Sequence, residues 1–206
     1  MSRKMRTSEC AAAAKAASIR LGAVKTEVKN AALTEIAKAL QDRSREIVAA
    51  NERDLAAAKK TSLAAPLLKR LRFDEAKLDD VCAAIHSLIK LPDPVGRTLC
   101  AIEMDEDLEL YRVSCPIGVI GVVFESRPDA LVQISTLCLK SGNACLLKGG
   151  SEAAHTNRIL AETITQAGQA AGLPAGFLHL LETRQDVADL LALDDQIDLL
   201  IPRGSN

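Results

Sequence analysis

The first ninety residues carry apolar side chains at the spacing of amphipathic helices. Leucine, isoleucine and valine recur every three or four positions with charged residues between them, which places the apolar side chains on one helix face. The clearest series is Leu33, Ile36, Leu40, Ile47, Val48 and Leu55. Residues 64–71 are predicted to form a short helix. A longer helix is predicted from about Asp74 until Pro92 and Pro94 end it.

Residues 99–104 and 108–113 are two short strand candidates on either side of an acidic turn, and together they predict a β-hairpin. Many of the hairpin's side chains are polar, so we expect it to project from the body of the molecule. Because an open strand edge favours pairing with another chain, residues 97–114 are expected to mediate homo-oligomer formation.

From residue 115 onward the chain alternates apolar strands with helices. The predicted strands are residues 117–123, 144–147, 177–181 and 197–201. The helices between them begin at Pro128, at Ser151, which is expected to cap a helix ending near Ala171, and at Thr183. Buried strands with helical crossovers predict an α/β fold whose parallel sheet is covered on both faces. The predicted parts are an N-terminal helical part (1–96), the hairpin (97–114) and the core of the sheet (115–206).

Ligands of parallel sheets bind beyond the carboxyl ends of the strands, and two of these ends have the composition of an anion site. Lys148, Gly149, Gly150 and Ser151 combine a cation and a flexible backbone with a helix start. Residues 202–206, which include an arginine and a Gly-Ser pair, show the same combination and are a second candidate anion site. The pattern indicates a nucleotide, with phosphate at one end and ribose at the other.

These strand ends also have a purely structural interpretation. The two glycines could form only a tight turn, with Lys148 a solvated lysine, and the GxGxxG fingerprint of dinucleotide sites is absent. Ser126, Arg127 and Pro128 follow a third strand end, where they are either ligand contacts or a polar loop with a helix-starting proline.

The charge balance excludes several classes of function. The 206 residues include 26 lysines and arginines, 27 aspartates and glutamates, and only 2% aromatic residues. Nucleic-acid and membrane-surface proteins show a basic face, and single-strand binders need aromatic platforms, so neither partner is expected. The longest apolar run, residues 117–124, is too short to cross a bilayer, and no apolar segment follows the basic start, so a signal peptide is not expected. A transit peptide is the alternative, and the early Glu9 counts against it, so a cytoplasmic protein is expected.

The cysteines and histidines show no disulfide or metal signature. The cysteines, at positions 10, 82, 100, 115, 138 and 145, include no CxxC pair and indicate reduced thiols. Cys138 and Cys145 are expected to pack in the core rather than act as nucleophiles. The three histidines are too far apart for a zinc signature. His86 and His179 are expected in or beside the core, and His155 on a partly exposed helix face.

Three long strings of sequence closely resemble the γ-glutamyl phosphate reductase family, within the aldehyde dehydrogenase superfamily. They are PIGVIGVVFESRPD at residues 116–129, SGNACLLKGGSEAAHTN at 141–157 and IDLLIPRGSN at 197–206. Residues 50–55 (ANERDL) and 64–71 (AAPLLKRL) resemble the family's helical N-terminal region, so the likeness covers nearly the whole chain. It implies a Rossmann-like sheet of the aldehyde dehydrogenase type, which lacks GxGxxG.

The resemblance implies an activity and a cofactor. The family uses NADPH to reduce L-glutamyl 5-phosphate to L-glutamate 5-semialdehyde in proline biosynthesis, with release of phosphate and functional coupling to glutamate 5-kinase. A cysteine thiolate forms a thioester that accepts hydride. That cysteine lies in a part of the family's chains beyond residue 206, and none of the six cysteines here matches it. The chain is therefore expected to be the cofactor-binding half, inactive by itself.

The resemblance also implies roles for individual residues. Lys148 matches the superfamily lysine near the adenosine ribose. Ser151 stands where many NAD-preferring relatives carry glutamate, and losing that carboxylate removes repulsion against a 2′-phosphate. Ser126 falls where the superfamily places an oxyanion-hole asparagine. The other implied contacts are Gly172, Pro174 and Gly176 beside the adenine, and Gly204 and Ser205 at the pyrophosphate.

Two other functions stay open on the sequence alone. One is a non-catalytic module that binds NADP(H), and the other is a scaffold that assembles through the hairpin and binds nothing. NADPH binding separates the scaffold from the other two, and the gene sequence beyond Asn206 separates the reductase from the module.

Overall fold

The computed structural model describes residues 5–203 of the chain. Its helices are α1 (Thr7–Gly22), α2 (Thr26–Asp42), α3 (Ser44–Lys60), α4 (Ala65–Leu71), α5 (Glu75–Lys90), α6 (Pro128–Lys140), α7 (Ala154–Ala170) and α8 (Arg184–Leu190). Its strands are β1 (Thr98–Asp105), β2 (Leu108–Val113), β3 (Val119–Val123), β4 (Ala144–Lys148), β5 (Leu178–Leu181) and β6 (Leu199–Pro202). Within this part of the chain, no helix is both long and apolar enough to span a membrane.

Four of the strands form a parallel sheet in the order β5-β4-β3-β6. β3 and β4 are buried along nearly their whole length, which explains why their sequences are continuous apolar runs. The chain proceeds from β3 to β4 and β5 in one direction and then places β6 on the other side of β3. The strand order therefore reverses between β3 and β6, where open α/β sheets bind their ligands.

Helices cover both faces of this sheet. The crossovers through α6 and α7 run in one direction, and the crossover through α8 runs in the other, so right-handed connections place α8 on the opposite face. α1 packs on the central strands beside α8, whereas α2, α3 and α5 form an outer layer over α6 and α7. The predicted apolar series supplies much of the core, with Leu33, Ile36, Leu40 and Ile47 fully buried.

A carboxylate just before β6 connects α1, β3 and β6. Asp198 Oδ1 accepts a hydrogen bond from Lys15 Nζ of α1 at 2.7 Å, and its Oδ2 accepts from the Val119 N–H at 2.8 Å. These contacts fasten α1 to the point where β3 and β6 begin side by side.

The predicted hairpin is confirmed, because β1 and β2 pair antiparallel. Its turn places Asp107 at a φ of 61°. Apart from the half-buried Cys100, every residue of the two strands is exposed. The hairpin therefore projects from the body of the described chain.

Two buried lysines, one on α2 and one on α6, connect α2 to the elements packed against it. Lys29 of α2 is 1% exposed, and its Nζ lies 3.0 Å from Asp93 Oδ2. Lys140 of α6 donates to Asn30 Oδ1 at 2.7 Å, and burial lowers the pKa of Lys140. These contacts fasten α2 to the segment after α5 and to the end of α6.

The α/β fold class with its helical region, hairpin and parallel sheet is confirmed, but two local predictions are wrong. Ser151 does not cap α7, because Ser151–Ala153 form a 3₁₀ turn and α7 begins at Ala154. His86 is exposed, because it follows Ile85 on α5 and points about 100° away from the buried face. His179 is half-buried beside the core, and burial lowers its pKa.

Candidate functional site

The carboxyl ends of the four parallel strands lie side by side. Lys148 at the end of β4 is in register with Val123 of β3 and Leu181 of β5, and Val123 is also in register with Pro202 of β6. We call the residues that follow these strands, together with Lys148, the strand-end rim: 124–127, 148–151, 182–183 and 203. Gly204 and Ser205, the predicted pyrophosphate contacts, lie outside the described residues.

Lys148 brings an available positive charge to this rim. The side chain is half-buried, and its ammonium group forms no hydrogen bond or ion pair with residues 5–203. Ser151, three residues later, is exposed. The structure thus places both residues of the predicted ribose contact at the same edge of the sheet.

The two glycines between them are required by internal packing. A Cβ on Gly149 would lie 2.3 Å from Asn157 Nδ2 and 3.0 Å from the ring of Phe124. A Cβ on Gly150 would lie 2.5 Å from Ser126 Oγ. The structural interpretation therefore accounts for both glycines, whether or not a ligand also approaches them.

Ser126 joins two loops of the rim. Ser126 is 8% exposed, and its hydroxyl donates to Glu152 Oε2 at 2.7 Å. This hydrogen bond connects the loop after β3 with the 3₁₀ turn after β4. Because the hydroxyl donor is engaged by a carboxylate, a role as an oxyanion donor would require this bond to break.

The N-terminus of α7 is occupied by a carboxylate from α3. Asp54 is 2% exposed and accepts hydrogen bonds from the backbone N–H groups of His155 and Thr156 at 3.2 and 2.8 Å. It also accepts from the Thr156 hydroxyl at 2.6 Å and lies 2.7 Å from His155 Nδ1. A free helix N-terminus attracts anions. Here a protein carboxylate fills that place, which is why Ser151 is not needed as a cap.

Asn51, one turn before Asp54, ties the same helix start to the neighbouring segments. Its Nδ2 donates to the Leu71 carbonyl at 2.9 Å and to Thr156 Oγ1 at 3.2 Å, and its Oδ1 accepts from the Phe73 N–H at 2.8 Å. The two polar residues of α3 therefore hold α4, the start of α5 and α7 together behind the rim.

A narrow cleft of about 20 Å³ opens beside the glycines. It is lined by Gly149, Gly150, Ser151, Ala154, Asn157, Leu180, Leu181 and Glu182. Asn157 is 2% exposed, and its Oδ1 has no hydrogen-bond partner among the described residues, although buried polar atoms are normally paired. A ligand that donates a hydrogen bond here would satisfy that oxygen.

A larger cavity lies at the other end of the rim, where the strand order reverses. Its volume is about 410 Å³, and its lining residues are Leu67, Arg70, Phe124, Glu125, Arg127, Ala130 and Arg203. Three arginines from α4 and from the ends of β3 and β6 therefore meet at one opening. Sequence reasoning placed Arg127 and Arg203 at strand ends but gave no signal for Arg70.

The structure does not bring Gly172, Pro174 and Gly176 to this rim. They precede β5, so they lie at the amino edge of the sheet, separated from Leu181 by the whole strand, about 10 Å. Gly176 has a φ of 93°, and a Cβ there would lie 2.8 Å from the Ala13 carbonyl oxygen. Gly176 thus serves the turn before β5 and its packing on α1.

None of the six cysteines lies on the rim. Cys138 and Cys145 are buried in the core as predicted, and the hydrogen bond with Cys138 together with burial raises the pKa of Cys145. Burial also raises the pKa of Cys82 to about 11. Cys145 and Cys82 therefore stay protonated at neutral pH and are poor nucleophiles. His155 is exposed at the start of α7, as expected.

Two polar groups at the rim fit a bound dinucleotide, whereas the start of α7 does not. Lys148 offers a cation, and the buried Asn157 Oδ1 offers an acceptor that the described chain leaves unpaired. Sequence reasoning missed Asn157, Asn51 and Asp54, whose only signal was their place in the strings at 141–157 and 50–55. The N–H groups of α7 bonded to Asp54 are not available for phosphate, so an anion would contact Lys148 and the backbone of the turn.

Comparisons with known proteins agree with this geometry. A γ-glutamyl phosphate reductase from Acetivibrio thermocellus is 62% identical over 98% of this chain and 47% of the relative. The same enzyme from Pelotomaculum thermopropionicum is 61% identical, with 46% of it covered. The chain thus spans about half the length of these relatives.

Solved structures show the same likeness. A γ-glutamyl phosphate reductase from Thermotoga maritima matches 98% of this chain and 49% of its own, with a TM-score of 0.94 and 33% identity. The enzyme from Saccharomyces cerevisiae matches 99% and 52%, with a TM-score of 0.91 and 40% identity. The family profile described as aldehyde dehydrogenase matches residues 2–206. The chain therefore belongs to the aldehyde dehydrogenase family.

Proposed function

We propose that this chain is the cofactor-binding part of an NADPH-dependent reductase that converts L-glutamyl 5-phosphate to L-glutamate 5-semialdehyde and phosphate. The observation that carries the proposal is the rim, where Lys148 stands beside a cavity lined by three arginines in a chain 62% identical to a γ-glutamyl phosphate reductase. Membership of the aldehyde dehydrogenase family implies a nicotinamide cofactor. NADPH and the glutamyl substrate are the finer parts of the proposal.

The cofactor-binding residues that we propose are Lys148, Ser151 and the backbone of Gly149 and Gly150. NADPH, when bound, supplies the hydride for the reduction. Lys148 offers a positive charge to the ribose and its 2′-phosphate, and the exposed Ser151 brings no negative charge there. Asn157 is added to this set because its buried Oδ1 can accept a hydrogen bond from the bound nucleotide.

Titration of the chain with NADPH, followed by nucleotide fluorescence, tests the cofactor assignment. Lys148→Ala is expected to weaken binding by about tenfold, because a charge-assisted contact is lost. Lys38→Ala is the matched control, since Lys38 is exposed on α2 and lines neither the cleft beside the glycines nor the arginine-lined cavity. In the same assay Ser151→Glu should narrow the preference for NADPH over NADH. Unchanged affinity and preference in folded variants would contradict the assignment.

Homo-oligomer formation through residues 97–114, functional coupling to glutamate 5-kinase and a cytoplasmic location complete the proposal. The exposed apolar side chains of the hairpin support the first of these. The second would be tested by co-purification with the kinase, and the third by cell fractionation.

A further inference from the structure

The arginine-lined cavity is separate from the proposed nucleotide contacts. It lies over the ends of β3 and β6, whereas Lys148 and the glycine turn follow β4. The cavity and the narrow cleft share no lining residue. The rim therefore offers two neighbouring places for negatively charged groups, and only one of them is explained by the proposed cofactor contacts.

The backbone holds two of the arginines in fixed positions. The Arg203 N–H donates to the Val123 carbonyl at 2.7 Å, which continues the pairing of β6 with β3. The Arg127 N–H donates to the Glu125 carbonyl at 2.8 Å, and Arg127 immediately precedes the first turn of α6. Their Cα atoms are thus anchored by the central strand and by a 13-residue helix.

Positive charge is in excess in this cavity. Arg70 Nη1 lies 3.1 Å from Glu125 Oε2, and Arg127 Nη2 lies 2.8 Å from Asp129 Oδ2. The Arg203 guanidinium forms no ion pair within residues 5–203. Three cations therefore face two carboxylates, and the hydrogen bond to Asp129 raises the pKa of Arg127 and keeps it charged.

The arginines also keep donors for a ligand. The Asp129 carboxylate engages Nε and Nη2 of Arg127, which leaves Nη1 of that guanidinium available. Arg127 and Arg70 have side chains that are 41% and 54% exposed, so a ligand can reach them. Guanidinium groups bind phosphate oxygens with paired N–H donors, which gives both affinity and orientation.

A volume of about 410 Å³ fits a small metabolite rather than a whole dinucleotide. We infer that the cavity formed by Arg70, Arg127 and Arg203 binds the phosphate end of an acyl phosphate substrate. This inference rests on the proposed function. The other source of a phosphate dianion, the 2′-phosphate of the cofactor, is assigned to Lys148 because that residue follows a different strand.

Calorimetric titration of the chain with L-2-amino-6-phosphonohexanoate tests the inference. This compound is a stable isostere of glutamyl 5-phosphate, in which methylene groups replace the carbonyl and the bridging oxygen. Arg127→Leu is expected to weaken its binding by at least about tenfold, and Arg203→Leu should have a similar effect. Arg45→Leu is the matched control, because Arg45 is exposed on α3 and lines neither the cavity nor the cleft.

Three further measurements separate the possible outcomes. L-glutamate should bind more weakly than the phosphonate, and equal affinity would overturn the assignment of the phosphate end. NADPH affinity should be unchanged in Arg127→Leu, and a loss confined to NADPH would show that the cavity holds the cofactor phosphate instead. No binding of the phosphonate by the unaltered chain would also overturn the inference. Failure of the cofactor proposal is seen separately, as loss of NADPH binding by the unaltered chain.

Circular dichroism establishes that each variant is folded before titration. If Arg127→Leu does not fold, Arg203→Leu still gives the answer, because Arg203 follows the last strand and its side chain is exposed. Arg127→Lys keeps the charge but loses the paired donors, so it should recover part of the affinity. Full recovery would show that only charge matters and would overturn the paired-donor geometry.

Discussion

At the residue scale, Asp54 is a buried carboxylate that organises the start of α7. It receives two backbone N–H groups and a hydroxyl from the start of α7. Because it is 2% exposed, removing it would leave these donors in a place that water reaches poorly. The order of the start of α7 thus depends on a residue about a hundred positions earlier in the chain.

Replacement of Asp54 by alanine is expected to lower the free energy of unfolding by roughly 3 kcal/mol, from the loss of a helix cap and of charge-assisted hydrogen bonds. Urea unfolding measures this change. Glu52→Ala is the control, because Glu52 is exposed on the same helix and should change stability by less than about 0.5 kcal/mol. Equal losses in both variants would show that the cap contributes little.

Single residues were predictable where their signal was local. Lys148 could be placed at a strand end because it directly follows an apolar run, and Ser126 because it comes two residues after one. The bond between Asp54 and Thr156 joins residues 102 positions apart, so no local pattern predicts it. The same is true of Ser126 and Glu152, 26 positions apart, whose contact changes how Ser126 is interpreted.

At the element scale, the ends of α6 were predictable and the start of β3 was not. Pro128 begins α6, and Gly142, with a φ of 73°, follows its end, which are the expected stop and start signals. Residues 117 and 118 look like strand, yet β3 begins at Val119. Gly118 has a φ of 125°, and a Cβ there would lie 2.2 Å from Asp198 Oδ2, a contact that comes from the far end of the chain.

The ion pair of Lys29 and Asp93 links α2 to the segment after α5. Its contribution to the free energy of unfolding should therefore fall at acidic pH. Burial alone would raise the pKa of Asp93, but hydrogen bonds from the Val95 N–H, Lys29 and Thr26 lower it below its ordinary value of 3.8. Because the pKa of Asp93 is lower in the folded chain than in the unfolded chain, the ionised carboxylate stabilises the fold at pH values above the unfolded pKa. That contribution is lost as the pH falls through the folded value.

The difference in unfolding free energy between the unaltered chain and Asp93→Asn is therefore expected to shrink as the pH falls from about 5 to below 4. Denaturant unfolding at several pH values measures it. Glu35→Gln, at an exposed position on α2, should show no such convergence. A difference that stays constant across this range would contradict the proposed role of the ionised carboxylate.

At the scale of the whole molecule, the order of the layers could be predicted only in outline. Alternating strands and helices imply a parallel sheet with two covered faces. They do not say that α1 packs on the central strands while α2, α3 and α5 lie outside α6 and α7. That choice depends on long-range packing, including the buried lysines 29 and 140, which in sequence look like ordinary surface residues.

Among the described elements, the two strands of the hairpin make their main contacts with each other. Leu99, Ile102, Met104, Leu108, Leu110, Tyr111 and Val113 are all about half exposed or more. A two-stranded hairpin is only marginally stable alone in water. Ile102 and Leu110 are paired in register and face the same side, whereas Tyr111 faces the other side, so both faces of the hairpin expose apolar side chains. Exposed apolar surface of this kind is typical of an association surface.

Leu110→Asp is therefore expected to lower the mass measured by sedimentation equilibrium, because a charge would be buried where Leu110 now offers an apolar surface. Ile19→Asp is the control, since Ile19 is 73% exposed on α1, outside the hairpin. An unaltered chain that is monomeric at micromolar concentrations, or a variant with unchanged mass, would contradict assembly through residues 97–114.

The carboxylate of Asp198 has a consequence for how the protein is made. Lys15 and Asp198 are 183 positions apart, and β6 completes the second edge of β3 only after residue 202 has left the ribosome. Until then a nascent chain exposes the unpaired edge of its most apolar strand, which is an aggregation hazard. Synthesis of residues up to about 202 must precede closure of this edge of the sheet, so shielding by a chaperone would help the nascent chain most during that interval.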